Sequence, residues 1–209
     1  MGTRNLTMVQ CDNKIPVAQY GQWDGYIDGA GIEIFEFVKK MLKSKKLEQF
    51  KEIVSNCYFV DRPQIREYYL ELGVDIDIEH FIDIRITDKF KEKHPALDRD
   101  MGASILDFLL ENGPTELRNE VTFAKDSLFC EWAYVVNLDT EMLEVYRGFQ
   151  ETPLEPNDRF YHLQEENSKY YPIRKTFEIS FNTLYEMTNE EFVKAYNEFT
   201  HENDEDDEN

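Results

Sequence analysis

This chain is short of positive charge. Against 43 acidic residues it sets 23 lysines and arginines, for a net charge of −20. That balance argues against direct binding of nucleic acid or of an anionic membrane, whose phosphates would be repelled. Also missing is any apolar run near the roughly 18 residues that a membrane span needs, and the first residues lack the charged-then-apolar form of a signal peptide. Cysteine is scarce: Cys11, Cys57 and Cys130 form no Cys-x-x-Cys pair, and any pairing leaves one over. Reduced thiols and a cytoplasmic location follow as expectations. His80, His94, His162 and His201 fall into no metal-binding spacing, so no metal and no cofactor is expected.

What is present suffices for a core. The chain has 209 residues, 41% of them apolar and 14% aromatic, with fifteen Phe and twelve Tyr, far from the composition of disordered chains. No internal repeat or linker divides it. The reading is a single α+β domain over residues 1–200 and a disordered acidic tail over 201–209. The tail holds six acids, so removing its −6 from −20 leaves −14 on the folded part.

Two β-prone runs, Asn5 to Gln10 and Ile15 to Tyr20, flank the turn formers Asp12 and Asn13 and predict an N-terminal hairpin. Their alternation is imperfect, so both faces are expected to be partly covered. A helical middle follows. Ile32 to Leu42 and Lys45 to Val54 carry apolar residues at helical spacing, and Asp61 caps a third helix with Pro63 in its first turn and Gly73 at its end. Val74 to Phe90 fits both a period of two and a helix. Helix is preferred from about Ile78 because Lys89 to Lys93 extend it up to Pro95. Met101 to Glu111 predicts a further helix stopped by Gly113-Pro114. Strands are then expected at Val121 to Ala124, Phe129 to Asn137, Met142 to Tyr146 and Ile173 to Ser180, and a last helix from Asn189 to Phe199 behind the capping box of Thr188 and Glu191. The expected architecture is α+β: an N-terminal β-hairpin joining a later antiparallel sheet, a helical middle and a C-terminal helix.

The densest set of hydrogen-bonding groups among glycines is Gly2-Thr3-Arg4-Asn5-Leu6-Thr7 together with Tyr20-Gly21-Gln22-Trp23-Asp24-Gly25-Tyr26. Glycines let the backbone approach a ligand closely, and Trp23 and Tyr26 add flat rings with polar tips. Arg99 and Asp100 precede a helix whose first turn, Gly102-Ala103, is open to approach; Asp100 would cap it and Arg99 would reach an anion there. The candidate ligand site is therefore Thr3, Arg4, Asn5, Gln22, Trp23, Asp24, Arg99 and Asp100, with the two segments sharing one pocket.

These motifs resemble an uncharacterised family found in phages and other microbes, and the similarity extends to Leu97-Asp98-Arg99-Asp100-Met101-Gly102-Ala103 and to Trp132 through Arg147. The resemblance suggests an origin and brings no activity with it. The opening hairpin and polar loop also look like the entry strands of N-terminal-nucleophile hydrolases, where a terminal Cys, Ser or Thr attacks with its own amine as base. That likeness implies Arg4 holding an anion or carbonyl oxygen, Asp24 orienting or accepting a proton and Trp23 stacking on substrate. The chain departs from the pattern at the decisive place: loss of Met1 would expose Gly2, which has no nucleophile.

Two function classes result. The first is a small acidic binding or inhibitor protein acting on a protein partner with a basic surface, which negative charge would steer toward it. The second is a hydrolase or ligand-binding relative of the N-terminal-nucleophile class, for which no complete catalytic constellation is present.

Overall fold

A two-residue turn sets the fold. In the computed structural model, which describes residues 2–78 and 82–207 with side chains as far as residue 200, Asp12 and Asn13 take φ of 52° and 57°. Short polar side chains tolerate this left-handed region, and two such residues in a row match the twist of paired strands. They fold β1 (Asn5–Cys11) antiparallel onto β2 (Lys14–Gly21). The hairpin joins the later sheet, but through a parallel contact of β1 with β5 (Trp132–Asn137). Antiparallel pairing then continues through β6 (Met142–Arg147) and β7 (Arg174–Ser180), so the sheet is mixed, in the order β2-β1-β5-β6-β7. A parallel neighbour needs a long crossover, and the helical middle of the chain supplies it.

Both faces of the sheet are covered, which is why its strands alternate poorly. Val9, Val17, Tyr134, Val136, Leu143, Val145 and Phe177 belong to a core shared with α1 (Ile32–Lys43), α2 (Leu47–Ser55), α5 (Ile105–Asn112), α6 (Phe181–Glu186) and α7 (Asn189–Asp207). Phe192 of α7 stacks on Phe35 of α1 with ring centroids 4.8 Å apart; burying a ring of this size contributes about 1.5–3 kcal/mol. On the other face Leu6, Met8, Ala18, Ala133 and Val135 pack with Ala124, Leu154 and Phe160.

A third cluster joins α3 (Arg62–Glu71) and α4 (Ile84–Lys93) through Ile65, Tyr69, Phe90 and Leu97. Its helix starts as the sequence indicates. Asp61 accepts from Gln64 N at 3.0 Å while Gln64 returns a bond to Asp61 N, a complete capping box. Beside this cluster β3 (Tyr58–Phe59) and β4 (Glu116–Leu117) form a short parallel pair.

Three expectations change. The helix looked for from Ile78 begins at Ile84, because Asp83 caps it by accepting from Arg85 N at 2.8 Å; positions 79–81 of that expectation lie outside the described residues. Val121 to Ala124 is no strand but part of a 3-10 turn, Val121–Lys125. Here Asn119 Oδ1 takes Val121 N at 3.2 Å and bends the chain where β-branched residues would otherwise extend it. Phe181–Glu186 is an unforeseen helix, capped by Ser180 accepting from Thr183 N. The backbone of α7 runs on as helix to Asp207, and positions 208–209 of the expected acidic tail lie outside the described residues. Among the described residues, no helix is long and apolar enough to cross a membrane.

Candidate functional site

The last rung across the sheet runs Gly21, Asn5, Trp132, Arg147, Arg174. Beyond it, residues 2–4, the 22–31 loop, the 127–131 loop and Gly148-Phe149 gather at one rim of the molecule. Gly25 N donates to Thr3 O at 3.0 Å, Asn5 Nδ2 to Trp23 O at 3.0 Å, and the buried Tyr134 hydroxyl to Gly25 O at 2.8 Å. Burial pushes the Tyr134 phenol well above its ordinary pKa, so it stays a donor. Asp24 turns the loop at φ 49°, and its carbonyl accepts from Ala30 N at 2.7 Å. These bonds hold the indole of Trp23 against Gly2 and the Tyr26 ring edge-on to Trp132.

The rim presents rings to solvent. Trp23 is 60% exposed, Tyr26 52%, Phe149 51% and Phe129 43%. Arg4 lies 4.6 Å over the Phe129 ring, and its backbone N–H meets Glu131 Oε1 at 3.4 Å. Arg147 sits 3.9 Å from the Trp132 ring on the inner side. Asp24, Asp28 and Asp126 are exposed around these groups and Glu131 is half-buried.

The expected site residues divide between two places. Thr3, Arg4, Asn5, Trp23 and Asp24 belong to the rim, with Thr3 and Asn5 buried. Gln22 turns the other way: its Oε1 accepts from Arg99 Nη2 at 3.0 Å and from the Tyr20 hydroxyl at 2.7 Å, and Arg99 lies 5.1 Å over the Tyr20 ring. The two motif segments thus meet, as expected, but at the outer edge of β2. Asp100 does not cap the helix after it. Met101 precedes that first turn without a side-chain cap, and Asp98 accepts from Asp100 N at 3.2 Å, which leaves Asp100 exposed 3.7 Å from Lys91. Neither does Arg99 aim at that helix, since Gln22 and Tyr20 occupy it.

Along the β2 edge, Gln19, Tyr20, Tyr69, Arg99, Arg118, Glu120 and Phe123 line a cleft of about 450 Å³. Of this set, Arg99 is the one residue that the sequence motifs place at a site. Arg118 and Glu120 sit in a segment that bridges onto Ala18, with Glu120 N donating to Ala18 O at 3.1 Å, a contact that no local pattern announces. Phe129 was equally hidden inside an expected strand, and Phe149 lies outside every expected element.

A second polar network lies inside. Glu144 is 4% exposed. It accepts from Arg159 Nη2 at 2.6 and 2.7 Å, from Asn137 at 2.7 Å and from the Tyr146 hydroxyl at 2.6 Å. Burial opposes its ionisation most strongly, yet these donors together leave its pKa below the ordinary carboxylate value. With four hydrogen bonds accepted from three donor groups, Glu144 has no lone pair free to act as a base; it clamps the 154–163 loop to the sheet.

Gln10 connects this clamp to Asp139, donating to it at 3.0 Å while accepting from Arg159. Asp139 also takes the backbone N–H groups of Asp12 at 2.8 Å and Asn13 at 2.9 Å, tying one hairpin turn to the other. Cys11, Asp12 and Asp139 gather within 4.8 Å, but the bonds just named already use both oxygens of Asp139, so the group reads as a turn lock. Burial works against the Asp139 charge, and the Asn13, Gln10 and Asp12 donors outweigh it, lowering the pKa. Asp139→Ala should therefore lower stability by about 1–2 kcal/mol in urea unfolding at pH 7. The loss should shrink as pH falls through the lowered folded value, because stability from a depressed carboxyl is present above the unfolded pKa and lost below it. An undiminished difference in acid would contradict this assignment.

Comparison of the chain with protein-family models, curated proteins and solved structures finds no match.

Proposed function

We propose that this protein is an acidic binding or inhibitor protein whose rim of exposed rings seats a protein partner with a basic surface. The observation that carries the reading is the convergence of Trp23, Tyr26, Phe129 and Phe149, all exposed, with Arg4 at one end of the sheet. Aromatic residues and arginine dominate the energetics of protein interfaces, and isolated surface rings do not gather in this way by default. Hydrogen bonds from Asn5, Tyr134 and Gly25 fix the loop that carries Trp23, so little ordering remains to be done on binding. Asp24, Asp28, Asp126 and Glu131 surround the rings, and the net charge of −20 adds long-range attraction for a basic partner. Nucleic acid is not the direct partner, for the reason of charge given above.

The geometry favours binding over N-terminal-nucleophile chemistry. Thr3 is buried beneath the loop that bonds its carbonyl, and Arg4 is engaged with a ring instead of facing an open pocket. The test is retention from host lysate on immobilised wild-type protein and on the Trp23→Ala, Phe129→Ala double variant. Both rings are exposed, so the variant should melt at the wild-type temperature. Bands held by the wild type at low salt should be lost on the variant, with binding weakened about thirtyfold or more, and should diminish on raising ionic strength. Equal retention by variant and wild type would defeat the proposal.

A further inference from the structure

We infer that the cleft at the outer edge of β2 is a binding site for a small phosphorylated molecule that offers hydroxyl or N–H donors at its other end, such as a nucleoside monophosphate or a sugar phosphate. This site is separate from the rim and does not depend on the partner reading above.

The first observation is a convergence of charge. Of the nine arginines, Arg62, Arg66, Arg85 and Arg159 are ion-paired, Arg4 and Arg147 lie over rings, and Arg174 donates to the carbonyls of Thr152 and Pro153. Arg99 and Arg118 carry no ion pair among the described residues, and both line one cleft. Arg118 is anchored by Nε donating to Leu97 O at 2.9 Å, and Arg99 by Gln22 and Tyr20. Each of these anchors uses only part of a five-donor guanidinium. Two held arginines converging on one cavity form an anion site of the kind phosphate oxygens fill.

The second observation is independent. Gln19 lines the same cleft, is 1% exposed, and its Oε1 has no hydrogen-bond partner. Its amide orientation is fixed, because Nε2 donates to the carbonyl of Asp98 at 3.1 Å. A buried acceptor left open is costly unless something fills it. Glu120, also lining the cleft and free of ion pairs among the described residues, adds a second acceptor. Two cations and two acceptors describe a ligand with an anionic head and a donor-bearing body.

The β2 edge adds a donor of its own. Ala18 O faces outward to Glu120 N, so by the period of two the Tyr20 N–H faces outward on the same edge. A cleft of about 450 Å³ lies within the range of small-molecule sites. The acidic exterior repels a polyanion at many points, whereas a small anion inside the cleft meets two guanidinium groups at contact and the remaining charges through screening water.

The test is calorimetric titration of the full chain with AMP, GMP, CMP, UMP, glucose 6-phosphate and inorganic phosphate. At least one organic phosphate should bind with a dissociation constant below about 1 mM, and Arg99→Gln and Arg118→Met should each weaken it about tenfold or more. Arg99 is exposed, so its variant keeps the fold; melting curves verify Arg118→Met. Preference for a nucleotide over glucose 6-phosphate, or the reverse, supports the site and identifies the body of the ligand. Inorganic phosphate binding as tightly as every organic phosphate would overturn the roles of Gln19 and Glu120. No saturable heat with any probe, or affinity unchanged in both variants, would overturn the site. Trp23→Ala should leave these affinities unchanged, which separates this result from failure of the partner reading.

Discussion

Replacing Arg159 with methionine is expected to destabilise the protein by about 3–5 kcal/mol at pH 7, the range for leaving one member of a buried ion pair unpartnered. Arg159 Nη2 meets both oxygens of Glu144, and its Nε donates to the Tyr146 hydroxyl at 2.9 Å. Without them Glu144 keeps Asn137 and Tyr146 but loses its counter-ion in a site that is 4% exposed. Adding Glu144→Gln to the variant should recover more than half of the loss, since no charge then remains to be buried.

The pH dependence has opposite signs in the two proteins. In the wild type the folded pKa of Glu144 is depressed, so its stabilisation is complete above the ordinary value of 4.5 and is lost as pH falls through the folded value. In the variant, burial without the guanidinium raises the folded pKa, so protonation on acidification stabilises the fold. The gap between variant and wild type should therefore narrow between pH 7 and pH 4. Urea unfolding at both pH values measures it. A loss under about 1 kcal/mol at pH 7, or a gap that widens in acid, would show that the pair is not the clamp described.

This pair also explains which parts of the molecule the sequence disclosed. Local chemistry was readable where a bond closes within a few residues. Asp12-Asn13 announced the hairpin, Asp61 with Pro63 the start of α3, and Thr188 with Glu191 the start of α7. Glu144 stayed hidden because Leu143-Glu144-Val145 reads as a strand with one wet face. Here the loop carrying Leu154 and Phe160 covers that face, and the partner charge arrives fifteen residues later. The candidate site was legible to the same degree. The meeting of Gln22 with Arg99 was foreseen as a juxtaposition of two polar segments. The division of that juxtaposition into a ring-bearing rim and an edge cleft was not, because it depends on β2 being the edge strand and on the 118–120 segment crossing it.

The rim itself rests on one steric fact, which gives the second large effect. A methyl group added at Gly148 would lie 2.3 Å from Cys130 O and 2.4 Å from Ser127 O. Both are backbone atoms of the loop that carries Leu128 and Phe129, and neither can rotate away. The packing is mutual, for Gly148 N donates to Glu131 O at 2.9 Å and Phe149 N to Ser127 O at 2.7 Å. Gly148→Ala must push the two chains apart and stretch these bonds, at about 3 kcal/mol, the upper end for overpacking. It should also displace Phe129 and Phe149 and so abolish partner capture at temperatures where the variant remains folded. Gly73→Ala separates space from backbone conformation. Gly73 has φ of 85° with nothing within 4 Å of the added carbon, so its substitution strains the backbone without a clash and should cost about 1 kcal/mol. Thermal and urea unfolding of the two variants should place Gly148→Ala clearly below Gly73→Ala in stability, and only Gly148→Ala should lose the partner. If both variants hold the partner equally well, the 127–131 loop does not set the positions of the rings, and the rim cannot be the preorganised surface on which the binding proposal depends.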